Sequence, residues 1–469
     1  MRSAFLAVLA LLAPPIMFGA VQVVPGDGAS LQRAIDAHPG QQVFVPAGDY
    51  VIDQPLRLKA DQSGLWGPGR IIQSNPEADI VNVENVSGVV LRDLTFTRSE
   101  GKMETHRPGL RLVRCADVTI DNVQILDNRG DLAAIFAAYC RNLHIKYSYI
   151  ENYSRIAIDD RTTIPFLGYA FNCINGTGML IRHSAGTRIE YNRVVELRML
   201  PTPELKAKYN LGKFSKKNPV RGASVSEEMW AAEYFNGWHQ GAAIQITKGE
   251  TSDFVQLLGN YVENAAQGID IHGDHVIMSH NTINNAFIGM KAMHGSRNVI
   301  IAGNQFSRND LWSIQLQPGT ASHVAIPESA ASKADPADPE ALTWPITRAG
   351  ANIDGHSIVA NNIISDFGYG TAHWMWDSAN TAPIQFNAGP LGGPNGKPPP
   401  ETDVIVTGNV LHDTGRDGVI VDGQVRKEPP RYRYAVRIGT GELGPRGLRF
   451  SNNILHPGTD GVSNVELTP

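Results

Sequence analysis

Cysteine is nearly missing. The 469 residues hold only three, Cys115, Cys140 and Cys173, so no disulfide framework organises the chain. Charge is sparse too, at 19% of residues, and the formal net charge is −5. A protein built to hold nucleic acid needs a basic surface, so that class is excluded. Past the opening segment no apolar run is long enough to cross a bilayer, which excludes a chain threaded through a membrane. No HExxH or comparably spaced ligand set appears.

What the sequence has instead is apolar residues, at 42%, together with 46 glycines and 29 prolines. That is too hydrophobic for disorder and rich in turns. The length is about three times a typical ~150-residue domain, so several domains or one elongated repeat must account for it. Composition favours the repeat. The first residues read as an export signal over 1–20: Met1-Arg2 is a positive start, Ala4 to Ala13 an apolar core, and Ala20 a small residue for cleavage. Phe18 stands where a second small residue belongs, which leaves an uncleaved N-terminal anchor as the alternative. Either way the expected compartment is outside the cytoplasm, secreted or periplasmic, with 21–469 as the mature domain.

The organising feature is a pattern, apolar-x-apolar-x-x-Asn-x-apolar, separated by Gly-rich or polar turns. It places Asn192, Asn260, Asn281, Asn304, Asn409 and Asn453 at equivalent positions; two copies starting at Val118 and Leu143 lack the Asn. The shortest intervals, Asn260 to Asn281 and Asn281 to Asn304, suit one coil of three short strands. A strand of three to five residues buries its inner face only if neighbours lie above and below, so the prediction is an all-β solenoid whose strands pair in parallel with their equivalents one coil away. The Asn then recur at one turn, where each side chain bonds backbone groups and the Asn beneath. Cys115 and Cys140 occupy matching positions, read as a buried small-residue stack in preference to a disulfide.

At this point the sequence resembles the pectin-lyase-like right-handed parallel β-helix superfamily. Gly28-Ala-Ser-Leu-Gln-Arg-Ala-Ile-Asp36, Val43-Phe-Val-Pro-Ala-Gly-Asp-Tyr50 and Leu65-Trp-Gly-Pro-Gly-Arg70 look like that superfamily's opening, in which a short helix caps the coils. The resemblance implies a single right-handed parallel β-helix with an N-terminal helical cap and long insertions, at about 198–240 and 318–356. It specifies no activity, because the family holds polysaccharide lyases, glycoside hydrolases, epimerases, esterases and non-catalytic adhesins.

The strand before each Asn turn is where a site is expected, since one strand per coil builds a continuous sheet whose outward residues form columns. Aligning Ile244-Gln-Ile-Thr-Lys248, Ile269-Asp-Ile-His-Gly273, Ile288-Gly-Met-Lys-Ala292, Ile314-Gln-Leu-Gln-Pro318 and Ile384-Gln-Phe-Asn-Ala388 on their inward pairs gives two columns. One reads Gln245, Asp270, Gly289, Gln315, Gln385; the other Thr247, His272, Lys291, Gln317, Asn387. Val419-Ile-Val-Asp-Gly423 reads as a further strand of this sheet. Ile156-Ala-Ile-Asp159 and Met179-Leu-Ile-Arg182 extend the second column upstream. Amides donate and accept at once, which matches sugar hydroxyls, and a coil spacing of ~4.8 Å lets a polysaccharide run along the column. The insertion carrying Trp238-His239 and the segment Tyr369 to Trp376 read as rims offering aromatic faces.

A hydrolase needs two carboxyl groups about 5–5.5 Å or 6.5–9.5 Å apart, and the central columns hold one, Asp270. A hydrolase therefore has to recruit Asp274 or a glutamate of the insertion, Glu227, Glu228 or Glu233. A lyase acting on uronic acid sugars needs a cation to neutralise the substrate carboxylate and a base for the proton beside it. The expected assignment is Lys291 as base, His272 as proton shuttle or carboxylate partner, and Arg182 and Lys248 as anchors, with His239 and His294 beside the substrate. Asp270 orients His272 or Lys291, or holds a Ca²⁺ bridging to the substrate as in the family's calcium-dependent lyases, although calcium wants six to eight oxygens. His272, Asp274, His275, His280 and His294 also raise a zinc reading, which the turn positions of His275 and His280 weaken. A carbohydrate-binding β-helix without catalysis is the other class. Oligomeric state is not legible.

Overall fold

The computed structural model describes residues 23–160, 170–197, 212–213, 234–235, 238–239, 241–324, 351–371, 381–390 and 396–469. Three parallel sheets of twelve strands each run the length of the molecule, every strand pairing with its counterpart one coil away. This is the all-β, right-handed parallel β-helix expected. Each full coil visits the sheets in turn: Ile244–Thr247 lies in the first, Asp253–Leu258 in the second, Tyr261–Glu263 in the third, and Gln267–Ile271 returns to the first.

The interior follows from the two-residue alternation of a strand. In the first sheet Ile244, Ile269, Met290, Ile314, Ile384 and Val436 stand in register and are fully buried. Each such side chain contributes roughly 1.5–3 kcal/mol relative to exposure. The outward neighbours carry none of that core and are free to differ from coil to coil.

The N-terminal end of the stack is closed by the helix α1, Gly28–Ala37, capped by Asp27, whose side chain accepts the Ala29 N–H at 3.0 Å. Leu31 and Ile35 bury its inner face. Gly28 is required there, because a Cβ would lie 1.9 Å from the Val51 carbonyl oxygen.

The Asn turn is a ladder, as expected. The side-chain N–H of Asn192 donates to Oδ1 of Asn260, and the chain continues through Asn281, Asn304, Asn362, Asn409 and Asn453 at 2.9–3.0 Å. Asn362, in a coil whose pattern had gone unrecognised, is a full member. At the ladder's upstream end, Ser148 N–H donates to Oδ1 of Asn192 at 2.9 Å. Cys115 and Cys140 are buried free thiols, not a disulfide.

Two segments assigned to the first sheet lie elsewhere. Arg155–Asp160 pairs antiparallel with Ala170–Asn175, so Asp159 belongs to a hairpin off the stack. Val419–Val421 pairs antiparallel with Gln424–Arg426 through Asp422-Gly423, both with positive φ, the backbone that an Asp-Gly hairpin turn demands. Tyr434–Ile438 takes the sheet position instead. Among the described residues no helix is long and apolar enough to cross a membrane.

Candidate functional site

The outward column of the first sheet is defined by strand register: Gln245 pairs Asp270, Asp270 pairs Lys291, Lys291 pairs Gln315, Gln315 pairs Gln385, and Gln385 pairs Arg437. This corrects the expected alignment by two residues at one strand. Met290 and Ala292, not Ile288 and Met290, point inward. Lys291 therefore sits directly beside Asp270, and Gly289 leaves the column. The misalignment came from taking Ile288 as core. It packs instead with Phe287, Leu311 and Trp312 on the edge of the groove.

The second column begins with Thr247 and His272 and ends with Gln317 and Asn387, with Met293 where Lys291 was expected. The backbone bonds from His272 N–H to Ile246 O, Met293 N–H to Ile271 O and Gln317 N–H to Ala292 O set that register.

Most of these residues line one cavity of about 690 Å³; Thr247 and Gln385, expected beside the substrate, do not. Its floor is formed by Gln245, Asp270, Lys291 and Gln315. Its sides include His272, His294, Gln317, Asn387, Trp312 and Arg437. Asp270 is 2% and Gln315 1% exposed, so the column forms the base of a groove, not an open sheet surface. Within it Gln315 Nε2 donates to Gln317 Oε1 at 2.8 Å, and Asn387 Nδ2 donates to the same oxygen at 2.8 Å.

Asp270 is the electrostatic centre. Its Oδ1 lies 3.0 Å from His272 Nε2 and its Oδ2 3.4 Å from Lys291 Nζ; Gln245 Nε2 donates to Oδ2 at 2.9 Å. Burial by itself would push the carboxyl up, but the charges of His272 and Lys291, aided by the His272 contact and by His294, hold it well below the usual carboxylate range. It is a fixed anion. With Nε2 turned to Asp270, the other imidazole nitrogen of His272, Nδ1, lies 3.1 Å from the Thr247 hydroxyl.

His294 meets His272 edge to face, ring centroids 4.6 Å apart. Burial, followed by the charges of His272 and Lys291, pushes its pKa well below the ordinary imidazole value. Its Nδ1 accepts the Ala321 N–H at 3.1 Å, which leaves the proton of the neutral ring on Nε2.

Other expected participants are elsewhere. Arg182 stands in register with Thr247 and does not line the cavity. Lys248, with φ of 72°, turns the chain away from the sheet, and it too is off the cavity wall. His239 lies in a short strand paired with Cys173–Ile174, and its side chain falls outside the described residues, as do Glu227, Glu228, Glu233, Trp374 and Trp376. Asp274, the expected second carboxylate of a hydrolase, faces away: Arg297 Nε donates to it at 2.8 Å and Asn298 Nδ2 at 2.7 Å.

A metal finds little support. Asp253, Asp274 and His275 approach one another closely enough to share an ion, but Arg297 already neutralises Asp274. Calcium on Asp270 does not fit, because both its oxygens face cationic or donor groups and no second carboxylate lines the cavity among the described residues.

Sequence reading missed Arg437 and Trp312. Tyr434-Ala-Val-Arg-Ile438 carries the same alternation as the other groove strands, and the Asp-Gly dipeptide at 422–423 was the signal that Val419–Val421 belonged to a hairpin.

Comparison with known proteins agrees with this architecture. The family described as "Right handed beta helix region" matches residues 224–388. The Agl-KA catalytic domain superposes with a TM-score of 0.57 at 12% identity, covering 98% of this chain and 69% of that one. A hyperthermoactive exopolygalacturonase from Thermotoga maritima gives 0.53 at 12% identity, covering 94% and 93%. The A-module of the Azotobacter vinelandii mannuronan C-5 epimerase AlgE4 gives 0.48 at 14% identity, covering 96% of each. No curated protein matches the sequence. At such identities the first two likenesses carry the fold alone, and the chemistry rests on the groove.

Proposed function

We propose that this chain, a right-handed parallel β-helix of the pectin-lyase-like superfamily, is a polysaccharide lyase that cleaves a uronic-acid-containing polymer by β-elimination in the groove of its first sheet. The observation that carries the reading is the isolation of Asp270. It is the sole carboxylate lining the cavity among the described residues, and it is ionised and flanked by Lys291 and His272. Hydrolysis by a carboxyl pair requires a second carboxyl group on the opposite side of the sugar. Elimination requires a cation, a base and a proton donor, and all three types line the groove.

The observed register exchanges two roles expected from sequence. Lys291 stands against Asp270 as an ion pair, so it is the group that meets the substrate carboxylate. Asp270 lies against Nε2 of His272 and the Thr247 hydroxyl against Nδ1; as substrate enters, that hydroxyl turns away and Nδ1 takes the proton from the carbon beside that carboxylate. The electron pair left on that carbon forms the new double bond, and the bond to the glycosidic oxygen breaks. That oxygen takes the proton that His272 has collected, which returns the base to its starting form. The amides of Gln245, Gln315, Gln317 and Asn387 hold sugar hydroxyls.

The test is incubation with polygalacturonate and with alginate while following the ultraviolet absorbance of the unsaturated uronate. A rise that disappears in His272→Ala supports elimination. New reducing ends without absorbance mean hydrolysis, and retention on the polymer with neither means a binding protein.

A further inference from the structure

The groove holds a second cation far from the reacting centre. Arg437 lines the cavity, is half-buried, and follows Gln385 in the column, in register with it. Among the described residues it has no carboxylate partner. Arg129 pairs with Glu104, Arg297 with Asp274, Arg431 with Glu428 and Arg433 with Asp460; Arg98 and Arg193 also lack a carboxylate, but the first is held by Asn128 and backbone carbonyls and the second lies over Tyr261, whereas Arg437 is turned to the cavity. A guanidinium partly withdrawn from water without an anion carries a desolvation cost with no return. Here burial, then the like charge of Arg433, lowers its pKa. A fixed cation of this kind, with five donors in a planar fork, is suited to a carboxylate arriving from outside the protein.

Its place sets a length. From Lys291 the column steps to Gln315, to Gln385 and to Arg437, three coil spacings or ~14 Å. With about one sugar per coil at ~4.8 Å, a sugar carboxylate at Arg437 belongs to a residue about three units along from the one at Lys291. Resting on the lyase reading, we propose that Arg437 is the carboxylate-reading residue of a distal subsite, so that the groove selects polyuronate segments of about four sugars or more over shorter ones and over neutral chains.

Binding separates this from the chemistry. The full chain carrying Lys291→Ala is titrated calorimetrically with oligogalacturonates and oligomannuronates, dimer and trimer against pentamer and hexamer, and with neutral cello-oligosaccharides. The same titrations follow with Arg437→Ala, Arg437→Gln or Arg437→Lys added, each checked for an unchanged thermal midpoint. For the acidic series matched by the groove, affinity should step upward between trimer and pentamer. Arg437→Ala and Arg437→Gln should remove about 10- to 100-fold of it for the long oligomers and leave the short ones unchanged, with part restored by Arg437→Lys.

An equal step for neutral oligomers, an effect of Arg437→Ala at every length, or no binding of any acidic oligomer overturns the proposal. A step that depends on Arg437 in a protein whose native form yields no unsaturated product leaves the subsite standing and removes the lyase reading. Unsaturated product without the step does the reverse.

Discussion

The Asn ladder and the groove column are both stacks of polar residues, one per coil, on the same solenoid. In the ladder one residue type repeats and every amide hands its hydrogen bond to the next coil, from Asn192 to Asn453. In the column the types differ, Gln245, Asp270, Lys291, Gln315, Gln385 and Arg437; the contacts converge on one buried anion, and three coils beyond Lys291 stands an arginine with no carboxylate partner among the described residues. A stack that satisfies itself holds the fold. A stack of unlike groups around a fixed charge is arranged for something else. Upstream in the same sheet the column changes character again: Phe136 and Leu180 hold the positions that become Gln245 and Asp270 further along, and both are buried in an apolar cluster.

That contrast predicts opposite readouts for substitutions in the two stacks, and the largest effects fall in the groove. Lys291→Ala and His272→Ala should each lower turnover on a polyuronate by about 10²–10³-fold per folded molecule. Asp270→Asn should approach the same loss, because the amide keeps the shape and loses the charge that orients His272. Near-native turnover in all three would place the chemistry elsewhere on the molecule.

The ladder should answer in stability. Asn281 donates to Leu257 O and Asn304 Oδ1 and accepts from both the backbone N–H and the side chain of Asn260, all at 2.9 Å. Alanine strands these buried groups, a cost of about 3 kcal/mol or more. Denaturant unfolding should read that loss, while turnover per folded molecule stays native. A ladder variant that unfolds normally but fails to turn over would erase the distinction between the stacks.

The two stacks were not equally legible in the sequence. The ladder could be read because identical residues recur in an invariant local frame, and Asn362 was missed because Ser357 stands where the next coil has the apolar Val404. The groove was read in part. Asp270, His272, Gln245, Gln315, Gln317, Gln385 and Asn387 were placed on the correct face by two-residue alternation. Lys291 was placed on that face one column over, since Ile288 looks like core and Ala292 does not. Alternation gives the face, but register needs knowledge of which apolar residue the stack accepts, and a small alanine in a coil between Ile271 and Leu316 is decided by packing alone. Arg437 was hidden by a hairpin that mimics a groove strand up to its turn.

Asp354 tests the comparison most gently, being as buried as the ladder but able to titrate like the groove. It fastens the turn that follows His294: its Oδ1 accepts the N–H groups of Gly295 and Ser296 at 2.9 and 3.0 Å, and the Ser322 hydroxyl donates to Oδ2. Burial pushes its pKa up from 3.8 to about 7, against the lowering effect of those hydrogen bonds. The folded state therefore holds the proton more tightly than the unfolded chain. The resulting contribution to stability is complete below the unfolded value near 3.8 and fades as pH rises to about 7, with no further change from this group above that. Glu401, also buried and raised, acts in the same direction. Asp354→Asn keeps an oxygen for the backbone donors and cannot ionise, so its unfolding midpoint should decline less than the native protein's across that window. An identical slope in both proteins would mean that Asp354 does not titrate there, and that the turn beneath His294 is held as passively as the ladder.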